Sequence, residues 1–371
     1  MFTETVPTPG RGGFLRRTAR VASTLVTPHG FDSYLQLVEP TWSVAEVKAR
    51  VVAAHRGTAG SVTLTLNPNR NWTGFRAGQY TQLSVDIAGV RHTRCYSMAN
   101  AAGAEHGLVE LTVKAHPGGT VSPWLVANAE PGMVVGLTPA QGEFTLPAQL
   151  ADRILLVSGG SGITPVFSML RTLCAAGEGH RVTFLHYALT EDDQIYRTEL
   201  AALAESHPEV RVVRVFTEAP GTGDLDGFMT VGQLDRAEPA WRTADTLVCG
   251  PAPLMNTAER IFAEAGCSER LHIEAFTLPQ FVAEAGVVGG ALRFAKAGVS
   301  VENDGRPVLL QAEAAGLAPL SGCRMGICHT CVRTLRCGTV RNAVTGELTD
   351  TPESAVRICV NVPVGDVEVD L

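Results

Sequence analysis

Along residues 47 to 148 apolar and polar positions alternate in short runs. VKARVVAAH, SVTLTLNP, QYTQLSVDI and GLVELTVKA are separated by Gly, Asn and Pro. A period of two places successive side chains on opposite faces of a strand, and several such strands at this spacing predict a small antiparallel β-barrel. After residue 150 the rhythm changes. The apolar run RILLVS leads into GGSGITP and the helical pattern VFSMLRTLCAAG; RVTFLHYAL, IYRTELAALAES, VRVVRVF, TLVCG and PLMNTAERIFAEAG follow. Strands alternating with helices predict βαβ units on a parallel sheet over 149–273. LHIEAFTLPQFVAEAGVVGG (271–290) reads as a connector ending in Gly-rich chain, with the linker proper at 274–288 and a smaller segment at 289–371. Residues 1–46 form an extension in which FDSYLQLVEPTWS holds one short helix, with Asp32 or Ser33 as N-cap and Pro40 as the stop.

Composition narrows the class. The 371 residues are 45% hydrophobic with 38 glycines and 21 prolines, enough for two or three cores built from many short elements. A net charge of −7 argues against nucleic acid as a partner, because phosphate binding needs a basic face. Nine cysteines in a chain this long do not make a secreted disulfide scaffold. VASTLV near the N-terminus is too short and polar for a signal peptide, and no apolar run approaches the roughly 20 residues of a membrane helix. The expectation is a soluble, cytoplasmic protein with reduced thiols.

The densest chemistry is SGCRMGICHTC, where Cys323, Cys328 and Cys331 are spaced C-x4-C-x2-C. Plant-type [2Fe–2S] sites use this spacing for three of their four thiolates, the fourth lying further along. Gly326 lets backbone N–H groups approach the sulfurs. For the fourth ligand Cys337 follows too closely, in an outgoing strand, whereas Cys359 lies in the later apolar stretch VRICVNVPV and is preferred. Zinc on the C-x2-C pair with His329 is the rival, but a second close pair is missing from the sequence. Cys95, Cys174, Cys267 and Cys337 read as small buried hydrophobes.

Two glycine loops precede helices. In LLVSGGSGITP, Gly159, Gly160 and Gly162 follow a strand, Thr164 is placed to cap the next helix and Pro165 suits its first turn. Unpaired N–H groups and the helix dipole make such a start a pyrophosphate site. PGGTVSPWL repeats the logic inside the β region, with Gly118, Gly119, Thr120 and Val121 leading to Ser122 as N-cap and Pro123 as first helical residue. Upstream, RCYS (Arg94, Cys95, Tyr96, Ser97) sets an arginine, an aromatic ring and a hydroxyl close together.

Taken together these motifs resemble the ferredoxin–NADP reductase superfamily fused to a C-terminal plant-type ferredoxin domain, over about residues 47 to 371. The resemblance implies a multidomain chain: an antiparallel β-barrel flavin domain (47–148), an α/β parallel-sheet nucleotide domain (149–273) and a β-grasp-like α+β ferredoxin domain (289–371). It implies FAD, a [2Fe–2S] cluster on Cys323, Cys328, Cys331 and Cys359, and NADPH or NADH as donor. R-x-Y-S assigns Arg94 to the flavin phosphate, Tyr96 to its ring and Ser97 to the neighbourhood of flavin N5, with Cys95 among them. Gly118, Gly119, Thr120, Val121 and Ser122 match the second flavin loop, in the form suited to FAD. Gly159, Gly160, Gly162 and Thr164 match the pyridine-nucleotide pyrophosphate loop. VCGPAPLM matches the C-G-P motif, placing Cys249, Gly250 and Pro251 beside the nicotinamide. LHIEAF places Glu274 and Phe276 near the flavin.

The implied activity is an NAD(P)H-dependent flavin/iron–sulfur reductase that feeds an external one-electron acceptor: a membrane desaturase or hydroxylase, or a soluble oxygenase. The extension is similar to that of actinobacterial reductases serving fatty-acid desaturases or alkane hydroxylases. Its arginines (Arg11, Arg16, Arg17, Arg20), followed by GFDSYLQLV, suit peripheral contact of residues 1–45 with an anionic membrane, at whose inner face the protein would work through its partner; the bland reading is a solvated arm whose apolar residues pack on the barrel. Other readings are a redox-sensing flavo-iron–sulfur protein and an electron-transfer subunit of another dehydrogenase. NADH and NADPH stay undecided: in HYALTEDDQIYR, Glu191, Asp192 and Asp193 would repel a 2′-phosphate, while Thr190 and Arg197 could hold one.

Overall fold

The computed structural model describes residues 31–103, 107–276, 289–322, 326 and 329–371. Cys323 and Cys328, the extension before residue 31 and most of the connector at 277–288 lie outside the described residues.

The first sheet is antiparallel, built from β1 (Val47–His55), β2 (Ser61–Pro68), β3 (Tyr80–Ile87), β4 (Val90–Ser97), β5 (Val109–Lys114) and β6 (Val134–Leu137) in the order β4-β3-β6-β1-β2-β5. An antiparallel bridge between Met98 and Leu111 brings the two edges together, so the sheet curls into the expected barrel. The alternation seen in the sequence is the inside of this barrel: Val47, Ala49 and Val51 of β1 face Leu64 and Leu66 of β2 and Leu111 and Val113 of β5. Helix α2 (Val121–Asn128) inserts Val121 and Leu125 into the same core. Ahead of the barrel, α1 spans Phe31–Val38. Asp32 and Ser33 therefore lie inside the helix rather than capping it. The Asp32 carboxylate instead caps the next loop, accepting from Ser43 Oγ (2.6 Å) and Val44 N (2.9 Å).

The second sheet is fully parallel. It comprises β7 (Ile154–Gly159), β8 (Val182–Ala188), β9 (Arg211–Phe216), β10 (Leu225–Asp226), β11 (Asp245–Gly250) and β12 (Leu271–Ala275), ordered β10-β9-β8-β7-β11-β12. Helices α3 (Ile163–Ala175) and α4 (Arg197–Ser206) cover one face, and α5 (Val231–Ala237) and α6 (Ala252–Glu264) the other. The strand order reverses between β7 and β11, which is where open α/β sheets bind ligands. The start of the expected connector is in fact β12: five residues of LHIEAF pair with β11 from Thr246↔Leu271 to Gly250↔Ala275.

A third, mixed sheet is formed by β13 (Ala291–Phe294), β14 (Val299–Glu302), β15 (Val332–Asn342), β16 (Leu348–Thr349) and β18 (Asn361–Val369), ordered β14-β13-β18-β15-β16; β17 (Ala355–Arg357) pairs with β15. Helix α7 (Val308–Ala314) buries Val308, Leu309 and Ala312 against it.

Barrel and parallel sheet share one interface. Arg171 of α3 reaches Glu110 of β5 at 2.7 Å and the Ala99 carbonyl at 3.0 Å, with its guanidinium 4.2 Å from the Phe167 ring centroid. Tyr196, buried and at φ 61°, bonds through its hydroxyl to Thr112 of β5. Because Thr112 also keeps Thr63 at 2.7 Å, removing the tyrosine hydroxyl orphans little. Tyr196→Phe is expected to cost about 1 kcal/mol. A urea midpoint lowered for both domains together checks this; an unchanged midpoint would mean the contact does not form in solution.

Candidate functional site

A cleft of ≈ 640 Å³, including its open mouth, lies where the barrel meets the carboxyl ends of the parallel strands. Cys95, Tyr96 and Ser97, from the end of β4, form one wall. Ser161 and Thr164, from the turn after β7 and the start of α3, form another. Glu274 and Phe276, at the end of β12, form a third, and Tyr80, Thr112 and Lys114 of the barrel complete the lining. Residues 95–97, Ser161 and Thr164, and Glu274 and Phe276, far apart in the chain, thus meet around one space. Arg94 and the loop Gly118–Ser122 are not among the residues lining it; Arg94 donates to the Thr93 carbonyl at 2.8 Å, and Gly118, Gly119 and Thr120 are exposed beside α2.

The two caps expected from sequence are made differently. Helix α2 starts at Val121, so Ser122 is its second residue, and its hydroxyl accepts from the His116 amide at 3.1 Å, closing the glycine loop. Thr164 is likewise the second residue of α3; its hydroxyl donates to the Ser161 carbonyl at 3.2 Å. In both places the side chain shapes the loop and leaves the helix's own first N–H groups for something else.

The turn Gly159–Gly162 is held by close packing of backbones. A Cβ on Gly162 would stand 2.2 Å from the Cys249 carbonyl oxygen and 2.7 Å from the Gly250 amide. A Cβ on Gly159 or on Gly250 would meet Leu254 at 2.8 Å. Glycine at these positions lets the start of α3 sit directly on the end of β11, with Pro251 leading into α6.

Across the strand ends runs a row of polar residues in register: His186, Ser158, Cys249 and Glu274 on β8, β7, β11 and β12. Directly paired residues project to the same side of a sheet, so all four lie on the face covered by α3. Burial holds each titratable member neutral. The Glu274 carboxyl is pushed up to about 8. The Cys249 thiol is raised well above its ordinary value, chiefly by burial and then by Glu274. The His186 imidazole is pushed down to about 3, and its Nδ1 lies 2.8 Å from Ser158 Oγ. A protonated Cys249 is a packing and contact group rather than a thiolate nucleophile. His186 and Ser158 were not singled out from sequence; a histidine inside the apolar strand RVTFLHYAL was the available signal.

Three buried polar atoms around this region have no protein partner: Ser97 Oγ, Glu274 Oε2 and His186 Nε2. Leaving such groups unpaired costs free energy, and they are kept where a ligand completes them. Together with the aromatic Tyr96 and the glycine turn at a helix start, this donor set fits a flavin ring and a pyridine nucleotide meeting in the cleft.

In the third unit, Cys331 immediately precedes β15 and Cys359 lies in the turn between β17 and β18; both are buried in one apolar cluster. The Ile358 amide donates to the Cys331 carbonyl at 3.4 Å, so the two cysteine-bearing segments run side by side. Gly326 adopts φ +81°, and a Cβ there would meet the Val360 side chain at 2.9 Å; its carbonyl accepts from Arg357 at 2.7 Å. Among the described residues no three His, Cys, Asp or Glu side chains gather as a metal site, and two thiols of the motif, Cys323 and Cys328, lie outside them. Cys337 is exposed on β15, not buried as expected, while Cys174 and Cys267 are buried as expected and Cys95 is half-buried in the cleft wall. Gln82 of β3, paired with Cys95, reaches Thr330 beside Cys331 at 3.4 Å.

A barrel and a doubly wound parallel sheet sharing such a cleft define an NAD(P)H-dependent flavin oxidoreductase. Residues 57–146 match the oxidoreductase FAD-binding domain family and residues 156–260 the oxidoreductase NAD-binding domain family. The chain is 38% identical over 356 residues to an NADPH oxidoreductase of Mycobacterium tuberculosis strain H37Rv, covering 95% of this chain and 91% of that protein. It is 30% identical over 320 residues to the glycine betaine monooxygenase reductase subunit of Pseudomonas aeruginosa, covering 80% and 87%. Phthalate dioxygenase reductase, described as a modular structure for electron transfer from pyridine nucleotides to [2Fe–2S], superposes with a TM-score of 0.61 at 22% identity, covering 87% of this chain and 97% of that one; at that identity the likeness is one of fold. The chain belongs to the ferredoxin–NADP reductase family of FAD- and NAD(P)-binding oxidoreductases. No helix among the described residues is long and apolar enough to cross a membrane.

Gly162→Ala must push the start of α3 off β11, and a displacement of that size is expected to lower kcat/KM for the pyridine nucleotide on the order of a hundredfold with a dye acceptor; wild-type kinetics would sink the packing argument. Glu274 has a folded pKa above its unfolded value. The stability tied to its neutral form is therefore present below about 4.5 and is lost as pH rises through about 8. Glu274→Gln should thus gain on wild type between pH 5 and pH 9, on the order of a few kcal/mol. A difference in urea midpoint that stays constant with pH would show that the carboxyl is not held neutral.

Proposed function

We propose that this protein is the reductase component of an oxygen-activating system, taking electrons from NADH or NADPH and passing them through FAD and a [2Fe–2S] cluster to an external acceptor. The acceptor is an oxygenase, a hydroxylase or a membrane desaturase. The observation that carries the reading is the third unit: Cys331 and Cys359, 28 positions apart in the chain (359 − 331), are buried in one apolar cluster. The left-handed Gly326 packs beside them on Val360, and the loop contacts the barrel strand paired with β4. Residues 289–371 are read as a β-grasp-like ferredoxin domain, with Cys323, Cys328, Cys331 and Cys359 as ligands. The relatives named as monooxygenase and dioxygenase reductases support the acceptor class.

A bound FAD would supply two-electron acceptance of a hydride with one-electron release, and a [2Fe–2S] group on Cys323, Cys328, Cys331 and Cys359 would supply one-electron acceptance. The chain's own residues position and protect. Arg94 and the loop Gly118–Ser122 hold the flavin's phosphates, and Tyr96 covers its ring. Ser97 hydrogen-bonds the flavin edge with its unpaired hydroxyl. Gly159, Gly160, Gly162 and Thr164 form the pyrophosphate turn, while Cys249, Gly250 and Pro251 hold the nicotinamide end against the cleft. Glu274, kept protonated by burial, holds a proton at the cleft without placing a charge there. Close docking of the two ring systems supplies the proximity on which transfer depends.

Thr190 donates to Asp193 at 2.8 Å and Arg197 pairs with Asp192 at 3.3 Å, so both candidate 2′-phosphate ligands are engaged by acids. An anaerobic titration with each nucleotide, followed by visible absorbance and low-temperature EPR, tests the whole reading. Flavin bleaching followed by a reduced [2Fe–2S] signal is expected, and the more effective nucleotide is the donor. Cys359→Ser should abolish the EPR signal and bound iron while sparing flavin reduction, whereas Cys337→Ser should change neither. An intact cluster in the Cys359 variant refutes the ligand set. A protein that bleaches yet contains no iron or sulfide refutes the cluster.

A further inference from the structure

Leu83 and Val85 of β3 belong to the barrel core, which puts Gln82 on the opposite, outer face, where a polar side chain ordinarily meets water. Gln82 is nevertheless only 6% exposed. Its side-chain amide donates at 3.4 Å to Thr330 Oγ1 of the third unit, 248 positions along the chain. The backbone around it is locked to the residue that follows β6. The Gln82 amide donates to Thr138 Oγ1 at 3.0 Å, the Thr138 amide to the Gln82 carbonyl at 3.1 Å, and the Thr81 hydroxyl to the Thr138 carbonyl at 2.7 Å. Gln82 pairs with Cys95, which lines the cleft, so the two project to the same side of the sheet.

The receiving end is equally constrained. His329 has φ 56°, a left-handed backbone that a non-glycine residue keeps only where its surroundings hold it. The Val332 amide donates to the His329 carbonyl at 3.2 Å, closing a turn with Thr330 and Cys331 at its centre. Cys331 is buried, and its carbonyl accepts from Ile358, the neighbour of Cys359, at 3.4 Å. Moving Thr330 therefore moves Cys331. A buried Gln82 amide that lost Thr330 would be left unpaired, which favours the docked arrangement over an open one. We propose that Gln82 and Thr330 form a latch that fixes the turn 329–332 on the strand pair β3–β4, and that Gln82 is a positioning residue for electron transfer between flavin and cluster. This deepens the proposed reductase reading and rests on it. Each transfer takes one electron from the reduced flavin and gives it to the oxidised cluster, and it depends on how closely the two are held.

The test compares the full-length holoprotein with its Gln82→Leu, Thr330→Val and Thr330→Ser variants. Stopped-flow absorbance follows flavin bleaching by NAD(P)H, rapid-freeze EPR follows cluster reduction, and hydrogen exchange reads the backbone of residues 329–332. Gln82→Leu and Thr330→Val are expected to slow cluster reduction about fivefold, the factor that one hydrogen bond is worth. Flavin bleaching, bound iron and the EPR line shape should stay as in wild type. Exchange at 329–332 should rise in both variants, and the double variant should be no slower than either alone. Thr330→Ser, which keeps the hydroxyl, should behave as wild type. Cluster reduction at the wild-type rate in Gln82→Leu overturns the positioning role, and wild-type exchange there overturns the latch. Equal slowing by Thr330→Ser and Thr330→Val overturns it as well, since the hydroxyl would then not matter. A wild-type protein without iron or sulfide counts instead against the reductase reading, and hydrogen exchange then judges the latch by itself.

Discussion

The site depends on the docking of the barrel against α3 and the segment leading into α4. Ser97 lies at the end of β4, and three of the five residues that follow it are pinned to the other domain. The Ala99 carbonyl accepts from Arg171, the Asn100 carbonyl accepts from Ser168 at 2.7 Å, and the Ala102 amide donates to Thr172 at 2.9 Å. The same α3 begins at the glycine turn. One short helix therefore fixes the distance between the β4 wall and the Ser161–Thr164 wall. Arg171, packed over Phe167 and Tyr196 and paired with Glu110, ties the opposite barrel edge to it. Tyr196 pays for its left-handed backbone, about 1–2 kcal/mol for a residue of this kind, with a hydroxyl bond across the interface.

Within this frame the chemistry is one of neutrality. Glu274, Cys249 and His186 have no net charge at pH 7 because burial disfavours their ionised forms, and no strong ion partner reverses that. The exception is Lys114, whose side chain lines the cleft; a charge in a low-dielectric wall acts strongly on any charge developing there. Arg171 and Glu110 neutralise each other away from the cleft lining.

Much of this was legible in the sequence because periodicity reports burial. The alternation of VKARVVAAH and SVTLTLNP is the inside and outside of the barrel, and the unbroken apolar RILLVS and TLVCG are strands buried on both faces. The motifs GGSGITP and VCGP were legible because glycine and proline at fixed offsets leave few backbone options, whereas RCYS carried meaning only through the family resemblance. What was missed depended on tertiary pairing. β12 looked like the start of a linker because a five-residue edge strand has too little pattern of its own. Ser122 and Thr164 looked like caps because sequence cannot tell a helix's second residue from its N-cap when a Pro follows. His186 was hidden because one histidine in an apolar strand acquires meaning only when register sets it beside Ser158. Cys337 was misread as buried because the outward face of β15 is set by its pairing with β18.

The contact between Gln82 and Thr330 gives the three units an order that chain sequence alone does not. β4 presents Tyr96 and Ser97 to the cleft, its neighbour β3 carries Gln82, and Gln82 touches the residue before Cys331. Paired residues project to one side of a sheet, so the third unit touches the barrel on the face that carries the Cys95 wall of the cleft, while the parallel sheet supplies the Ser161 and Thr164 wall. The barrel is thus the element that both other units contact, and the contacts fall on different strands: β3 carries the one to Thr330, and β5 those to Arg171 and Tyr196.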